Sequence, residues 1–215
     1  MKFDSYNGFN MKNNNDLIIV GAGGHAKVIL SVALCHSEHM IGYLDDNPDL
    51  INQIVCGYPV VGNLSILENF NGSVVLGLGN NVTRQAIAQR YAASNWQTFV
   101  HPHAFVHPSV KLGKGTVVFA GAVIQPDVVI GDHCIINTGA TVDHDCVIGD
   151  YVHLAPGVHL AGNVRMGEGV FMGIGSVVIP GIEIGKWTEV AAGSVVVKSI
   201  LARKKVMGVP AKERV

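Results

Sequence analysis

VVFAGAVIQPDVVIGDHCIINTGATVDHDCVIGDYVHL, residues 117–154, repeats every six positions. Val118, Ile124, Ile130, Ile136, Val142, Ile148 and Leu154 share one register, which extends unbroken back to Val106 and on to Val196. All sixteen residues on it are aliphatic or Met, in a chain that is 48% hydrophobic. Chance does not sustain such a run. Four places after each aliphatic stands a small or β-branched residue, as at Ala122, Cys134, Ala140, Cys146 and Val152. Glycine often follows the aliphatic directly, as at Gly113, Gly131, Gly149 and Gly173. That suits a corner where the chain turns sharply or takes a positive φ.

A helix repeats near 3.6 residues and a strand at two, so neither produces a period of six. Short strands wrapped on a triangular prism do, with one hexad per face. The aliphatics then stack along the axis and the small residues fill the narrow interior. Residues 106 to 195 hold fifteen hexads, hence five coils if three hexads close a turn. Each coil pairs with the next, and only the end coils expose strand edges.

Outside the repeat the pattern changes. Leu17-Ile18-Ile19-Val20 is a short apolar run followed by Gly21-Ala22-Gly23-Gly24-His25-Ala26. A helical stretch follows over about 26–36, then Ile41-Gly42-Tyr43-Leu44 and Asp45-Asp46. Strand, glycine turn, helix, strand and acid is the layout of a nucleotide-binding βαβ unit. Its glycines let backbone N–H groups approach phosphate oxygens at a helix N-terminus. A third strand at 74–78 ends in Gly79-Asn80-Asn81, and the next helix carries Arg84. A tight turn in any small α/β domain is the plainer alternative. A nicotinamide dehydrogenase is another, but residues 17–100 cover only half of a full dinucleotide fold.

Composition narrows the rest. A formal net charge of −1 leaves no electrostatic footprint for nucleic acid. No run of eighteen apolar residues is present to span a membrane. Residues 1–16 are polar and Asn-rich, without the apolar core of a signal peptide, and read as a disordered leader. Cys35, Cys56, Cys134 and Cys146 lack metal-ligand spacing, and a reducing, cytoplasmic setting is the default. His101, His103 and His107 cluster, but proline follows two of them at the domain junction, so no metal is expected. The expected organisation is a leader at 1–16, an α/β nucleotide-binding domain at 17–100, a β-helix at 101–198 and a tail at 199–215.

Several motifs in this order resemble the hexapeptide-repeat acyltransferases. Within them, they are similar to the bacterial nucleotide-sugar N-acetyltransferases and their sialic-acid O-acetyltransferase relatives. They are Gly21-Ala22-Gly23-Gly24-His25, Tyr43-Leu44-Asp45-Asp46, Gly79-Asn80-Asn81 with Arg84, and Asn137-Thr138-Gly139-Ala140 leading to Asp143-His144-Asp145-Cys146. Then come His153, Ala161-Gly162-Asn163-Val164 and Gly208-Val209-Pro210-Ala211-Lys212. The resemblance implies a left-handed parallel β-helix, a homotrimer, and acetyl-CoA bound between neighbouring helices. It implies a nucleotide-linked 4-amino-4,6-dideoxy sugar as acceptor, held by Gly23, Gly24, His25, Asp45, Asp46 and Gly79. His144 would be the base and Asp145 the acid that raises its basicity. His153, Gly173, Ile174 and Ala192 would meet acetyl-CoA. Relatives can carry glycine at the last of these, so Ala192 is a small departure.

The residues support that chemistry on their own terms. His144 is third in its hexad and should project outward near a corner. A sugar amine is largely protonated near neutral pH, and histidine, with a reference pKa of about 6.5, can take the proton. Cys134 and Cys146 occupy the interior slot and read as packing residues rather than nucleophiles. The basic run Arg203-Lys204-Lys205 suits either the CoA 3′-phosphate or a solvated tail. O-acetylation of sialic acid or another sugar hydroxyl is the nearest rival function. A non-catalytic sugar-nucleotide-binding module is the rival from a different class.

Overall fold

The computed structural model describes residues 15–214. The expected leader therefore lies almost wholly outside the described residues; Asn15 sits in a turn and Asp16 opens the first strand. The chain forms two compact units.

In the α/β unit, β1 (Asp16–Val20) is fully apolar after its first residue and is buried along its length. Such a run suits a strand covered on both faces. It pairs in parallel with β2 (His39–Leu44) and, on its other side, with the later strand Ser73–Leu76. Between β1 and β2, α1 (Gly24–Ala33) buries Ala26, Ile29, Leu30 and Ala33 against the sheet. It ends before the expected His36, where Cys35 N–H turns back to the Val32 carbonyl. An antiparallel hairpin, β3 (Ile54–Val55) with β4 (Tyr58–Gly62), extends the edge beside β2. The sheet order is β3-β4-β2-β1-β5-β6, with β5 at Ser73–Leu76 and β6 at Asn95–Trp96.

The second unit is a parallel β-helix of two-residue strands on three faces. Val117–Val118, Ile135–Ile136, His153–Leu154, Phe171–Met172 and Glu189–Val190 lie on the first face; each of the first four pairs with the strand eighteen residues on. The second face carries Thr141–Val142 and His159–Leu160, and the third Val147–Ile148 and Arg165–Met166. The six-residue register is thus the prism predicted from sequence. The interior holds the aliphatic series and, in the small slot, Ala122, Cys134, Ala140, Cys146 and Val152, all fully buried. The stack begins at Phe99–Val100, slightly before the expected start. At its far end Glu189 pairs with Lys205, two residues short of a full turn, and Lys212–Glu213 folds back antiparallel. Much of the expected tail therefore belongs to the first face.

Two details differ from the expected corner chemistry. The glycines that follow the aliphatics do not take positive φ; they sit where coils nearly touch. A Cβ on Gly149 would lie 2.8 Å from the Glu168 backbone nitrogen of the next coil. Positive φ falls two residues later, at Gly115, Gly121, Asp127, His133, Gly139, Asp145, Tyr151 and onward every sixth residue. Asp tolerates this left-handed conformation better than most residues, and Asp145 at φ 62° occupies it. Among the described residues, no helix is long and apolar enough to cross a membrane.

Candidate functional site

The α/β unit presents an open glycine turn. Gly21, at φ +94°, hands its N–H to Leu44 O at 2.7 Å, and a Cβ there would lie 2.7 Å from the Leu78 side chain. Only glycine combines that backbone with that packing. Gly23 and Gly24 are exposed with open space above them, and Gly23 leads into α1 without a side-chain cap. The first N–H groups of α1, without a side-chain cap, suit an anion. His25 is half-buried in the first turn of α1.

The two acids behave differently from free ligand-binding groups. Asp45 Oδ2 accepts the Ala22 N–H at 2.9 Å and Oδ1 accepts the Asn47 N–H at 2.9 Å. Asp45 thus ties the glycine turn to the end of β2. Asp46 is exposed, and its Oδ1 accepts the Leu64 N–H at 3.0 Å. Gly79, expected in this unit, groups instead with the β-helix: the division places residues 79–86 there and Ile87–Gln97 with the α/β unit. It falls inside the helix α2 (Asn81–Arg90).

On the β-helix, His144 stands at the corner between the second and third faces, between strands Thr141–Val142 and Val147–Ile148. Its N–H is taken by Asp143 Oδ1 at 2.8 Å and its carbonyl by Asn163 N–H at 2.9 Å. Nδ1 lies 2.7 Å from Asp145 Oδ2, and both side chains are 60% exposed. A carboxylate only accepts, so Nδ1 carries the hydrogen and Nε2 keeps its lone pair as an acceptor. The bond to Asp145 first, and the charge of Asp143 next, raise the His144 pKa above 6.5. The ring rests over Gly162, one coil on, where a Cβ would come within 2.7 Å of Nε2.

His153 lies elsewhere, on the first face, buried and edge-on to Phe171 with ring centroids 5.3 Å apart. Its Nδ1 is 3.2 Å from Gly79 O and its Nε2 3.3 Å from the Asn137 side-chain nitrogen. Gly173, Ile174 and Ala192 share the corner between the first and second faces. A Cβ on Gly173 would lie 2.5 Å from Ala192 N, and Gly193 N–H bonds to Ile174 O at 2.8 Å. Ile174 is 58% exposed there. One chain therefore gathers Gly173, Ile174 and Ala192 together, and sets His144 on a different corner.

Other candidates resolve plainly. Cys134 and Cys146 are fully buried with their thiols toward Gly149 O and Ala161 O. Burial pushes the Cys134 thiol up to about 12 and raises that of Cys146, so neither is a thiolate near neutral pH. His101 accepts the His103 N–H, and His107 contacts Ser109. Among the described residues, no three His, Cys, Asp or Glu side chains form a metal cage. Lys204 and Lys205 pair with Glu213 and Glu189.

Residues 16–91 match the PglD N-terminal domain, and residues 109–144 and 127–162 match the bacterial transferase hexapeptide family. A mutant of perosamine N-acetyltransferase from Caulobacter crescentus, solved with CoA and GDP-perosamine, superposes with a TM-score of 0.88 at 39% identity. It covers 93% of this chain and 96% of that one. The chain belongs to the hexapeptide-repeat sugar N-acetyltransferases. The β-helix is accordingly left-handed. The acetyltransferase domain of PglB from Neisseria gonorrhoeae, solved with acetyl coenzyme A, is 37% identical with a TM-score of 0.88, covering 94% of this chain and all of that one. Among curated proteins, an uncharacterised Acanthamoeba polyphaga mimivirus protein is 33% identical over 101 residues, 46% of this chain and only 20% of that protein's length.

In this acetyltransferase, sequence reasoning gave no role to Arg84, which is 1% exposed in the β-helix unit. Burial lowers its pKa from 12.5 to about 10, so it stays cationic at neutral pH. The contact of His144 with Gly162 yields a sharper expectation. Gly162→Ala should leave the thermal midpoint nearly unchanged, because the exposed imidazole can swing aside. It should lower kcat by displacing Nε2; unchanged turnover would show that the ring's seat over Gly162 is irrelevant.

Proposed function

We propose that the protein transfers the acetyl group of acetyl-CoA to the 4-amino group of a nucleotide-linked 4-amino-4,6-dideoxy sugar, with His144 as general base. The observation that carries the reading is the exposed His144 with Asp145 on Nδ1 and a bare Nε2. Similarity along 93% of the chain to an enzyme solved with CoA and a GDP-linked sugar supports it. Gly23, Gly24, His25, Asp45, Asp46 and Gly79 are assigned to the nucleotide sugar. Asp45 acts mainly by holding the glycine turn open.

The chemistry runs in one ternary complex. The ammonium form of the acceptor first loses one proton to solvent; Nε2 of His144 then takes a second from the amine nitrogen as its lone pair attacks the thioester carbonyl. The tetrahedral adduct collapses, the C–S bond breaks, and the imidazolium returns its proton to the CoA sulfur. Asp145 stabilises the imidazolium and holds the productive tautomer. His153, Gly173, Ile174 and Ala192 are assigned to acetyl-CoA. They lie away from the His144 corner, so the site is completed between copies, which favours a homotrimer. A cytoplasmic setting fits an enzyme that consumes acetyl-CoA.

With His144 acting as a base, kcat/KM should rise with pH through a midpoint above 6.5, since the imidazole must be neutral to accept. Asp145→Asn removes the largest cause of that upward shift and should move the midpoint down while lowering the plateau. A profile indifferent to Asp145 would remove it from the mechanism. NMR of the product separates the amine from the hydroxyl reading: the acetyl carbonyl should couple to nitrogen, and an ester product would move the assignment to O-acetylation.

A further inference from the structure

Arg84 and Asn81 read three successive corner carbonyls of the β-helix. Arg84 Nε donates to His133 O at 2.8 Å, and Arg84 Nη2 donates to Tyr151 O at 2.7 Å. The Asn81 side-chain amide donates to Gly169 O at 3.1 Å. These acceptors stand eighteen residues apart, one per coil, and each has a left-handed backbone. Arg84 Nη2 also donates to Asn81 Oδ1 at 3.0 Å, which locks the two side chains to one another. Asn80 caps the same turn by accepting the Thr83 N–H at 2.9 Å. The planar fork of arginine matches this set of oxygens, whereas an ammonium group would not.

The consequence is felt at Gly79. Its carbonyl accepts from Arg84 Nη1 at 3.3 Å and faces His153 Nδ1 at 3.2 Å. A carbonyl only accepts, so His153 carries its hydrogen on Nδ1, and Nε2 accepts from the Asn137 amide. Phe171 closes the remaining side of the ring.

We propose that Arg84 is a positioning residue: through Gly79 it fixes the tautomer and orientation of His153, and thereby the first-face surface that meets the acyl donor. The inference rests on the assignment of His153 to acetyl-CoA made above. A cation this deeply buried is costly unless its donors are satisfied, and here they also set the seat of a second side chain.

The test reads His153 directly. Long-range proton–nitrogen NMR of imidazole-labelled wild-type protein should show His153 hydrogen on Nδ1, the minor tautomer of free histidine. Arg84→Met should shift His153 toward an Nε2–H or mixed population and raise the acetyl-CoA KM about tenfold. Wild-type His153 found as Nε2–H would overturn the inference without any variant. So would an Arg84→Met protein with lowered thermal stability but an unchanged His153 spectrum, the mark of a purely structural residue. If the tautomer moves while the acetyl-CoA KM does not, the positioning stands and the assignment of His153 to the acyl donor fails. His153→Ala, measured alongside, reports on that assignment independently.

Discussion

Replacing His144 with alanine should lower kcat about a hundredfold to ten-thousandfold, the usual share of a positioned general base, while leaving the fold intact. His144 is 60% exposed and supports no core contact, so circular dichroism and thermal melting should match the wild type. The substitution removes the acceptor of the substrate proton and nothing from the acyl-donor corner, where Ile174 and Ala192 stand. The loss should therefore appear in kcat, with the acetyl-CoA KM within a few-fold of normal. Raising the pH should partly restore the rate, because more of the acceptor amine is then free without assistance. A variant with near-normal turnover would dismiss His144 as the base.

Leu154→Ala carries the largest expected stability effect, about 2–5 kcal/mol. Leu154 is fully buried in the aliphatic stack, with Ile136 before it and Met172 after it in the paired coils. Its neighbours are held by ladders on both sides and cannot collapse into the space, which puts the cost toward the upper end. Leu201→Ala, at a residue 77% exposed, should change stability by less than about 0.5 kcal/mol. Urea unfolding of the two variants side by side measures the contrast. Equal losses would mean that burial in the stack does not govern the stability of the prism.

The β-helix was legible because one physical demand, apolar inside and polar outside, repeats with an unvarying period. Val118 through Val196 must all face the axis, and no substitution of residue type at the corners disturbs that count. The corner conformation was hidden for the opposite reason. Its positive-φ slot accepts Asp127, His133, Asp145, Tyr151, Asn163 and Trp187 as well as glycine, so composition does not reveal it. The glycines that looked like turn formers serve close approach between coils, a demand visible only once the coils are stacked.

The same distinction applies to the site. The contact of His144 with Asp145 could be read because the two are adjacent in sequence and the contact is local. The grouping of residues 79–86 with the β-helix could not, because Arg84 and Asn81 bind backbone carbonyls, which every residue possesses. The hairpin at Ile54–Gly62 and the shortened last turn at Lys205 were also missed. The first is a short edge feature without strong alternation, and the second breaks the very period that made the rest readable.

The most direct measurement is thiol release from acetyl-CoA with wild-type and His144→Ala protein, using GDP-, UDP- and dTDP-linked 4-amino-4,6-dideoxy sugars and free sialic acid as acceptors. Wild-type protein should turn over at least one nucleotide-linked amine, and the variant should lose nearly all of that rate. Folded wild-type protein that releases thiol with sialic acid alone, or with none of these acceptors, would contradict the proposed reaction.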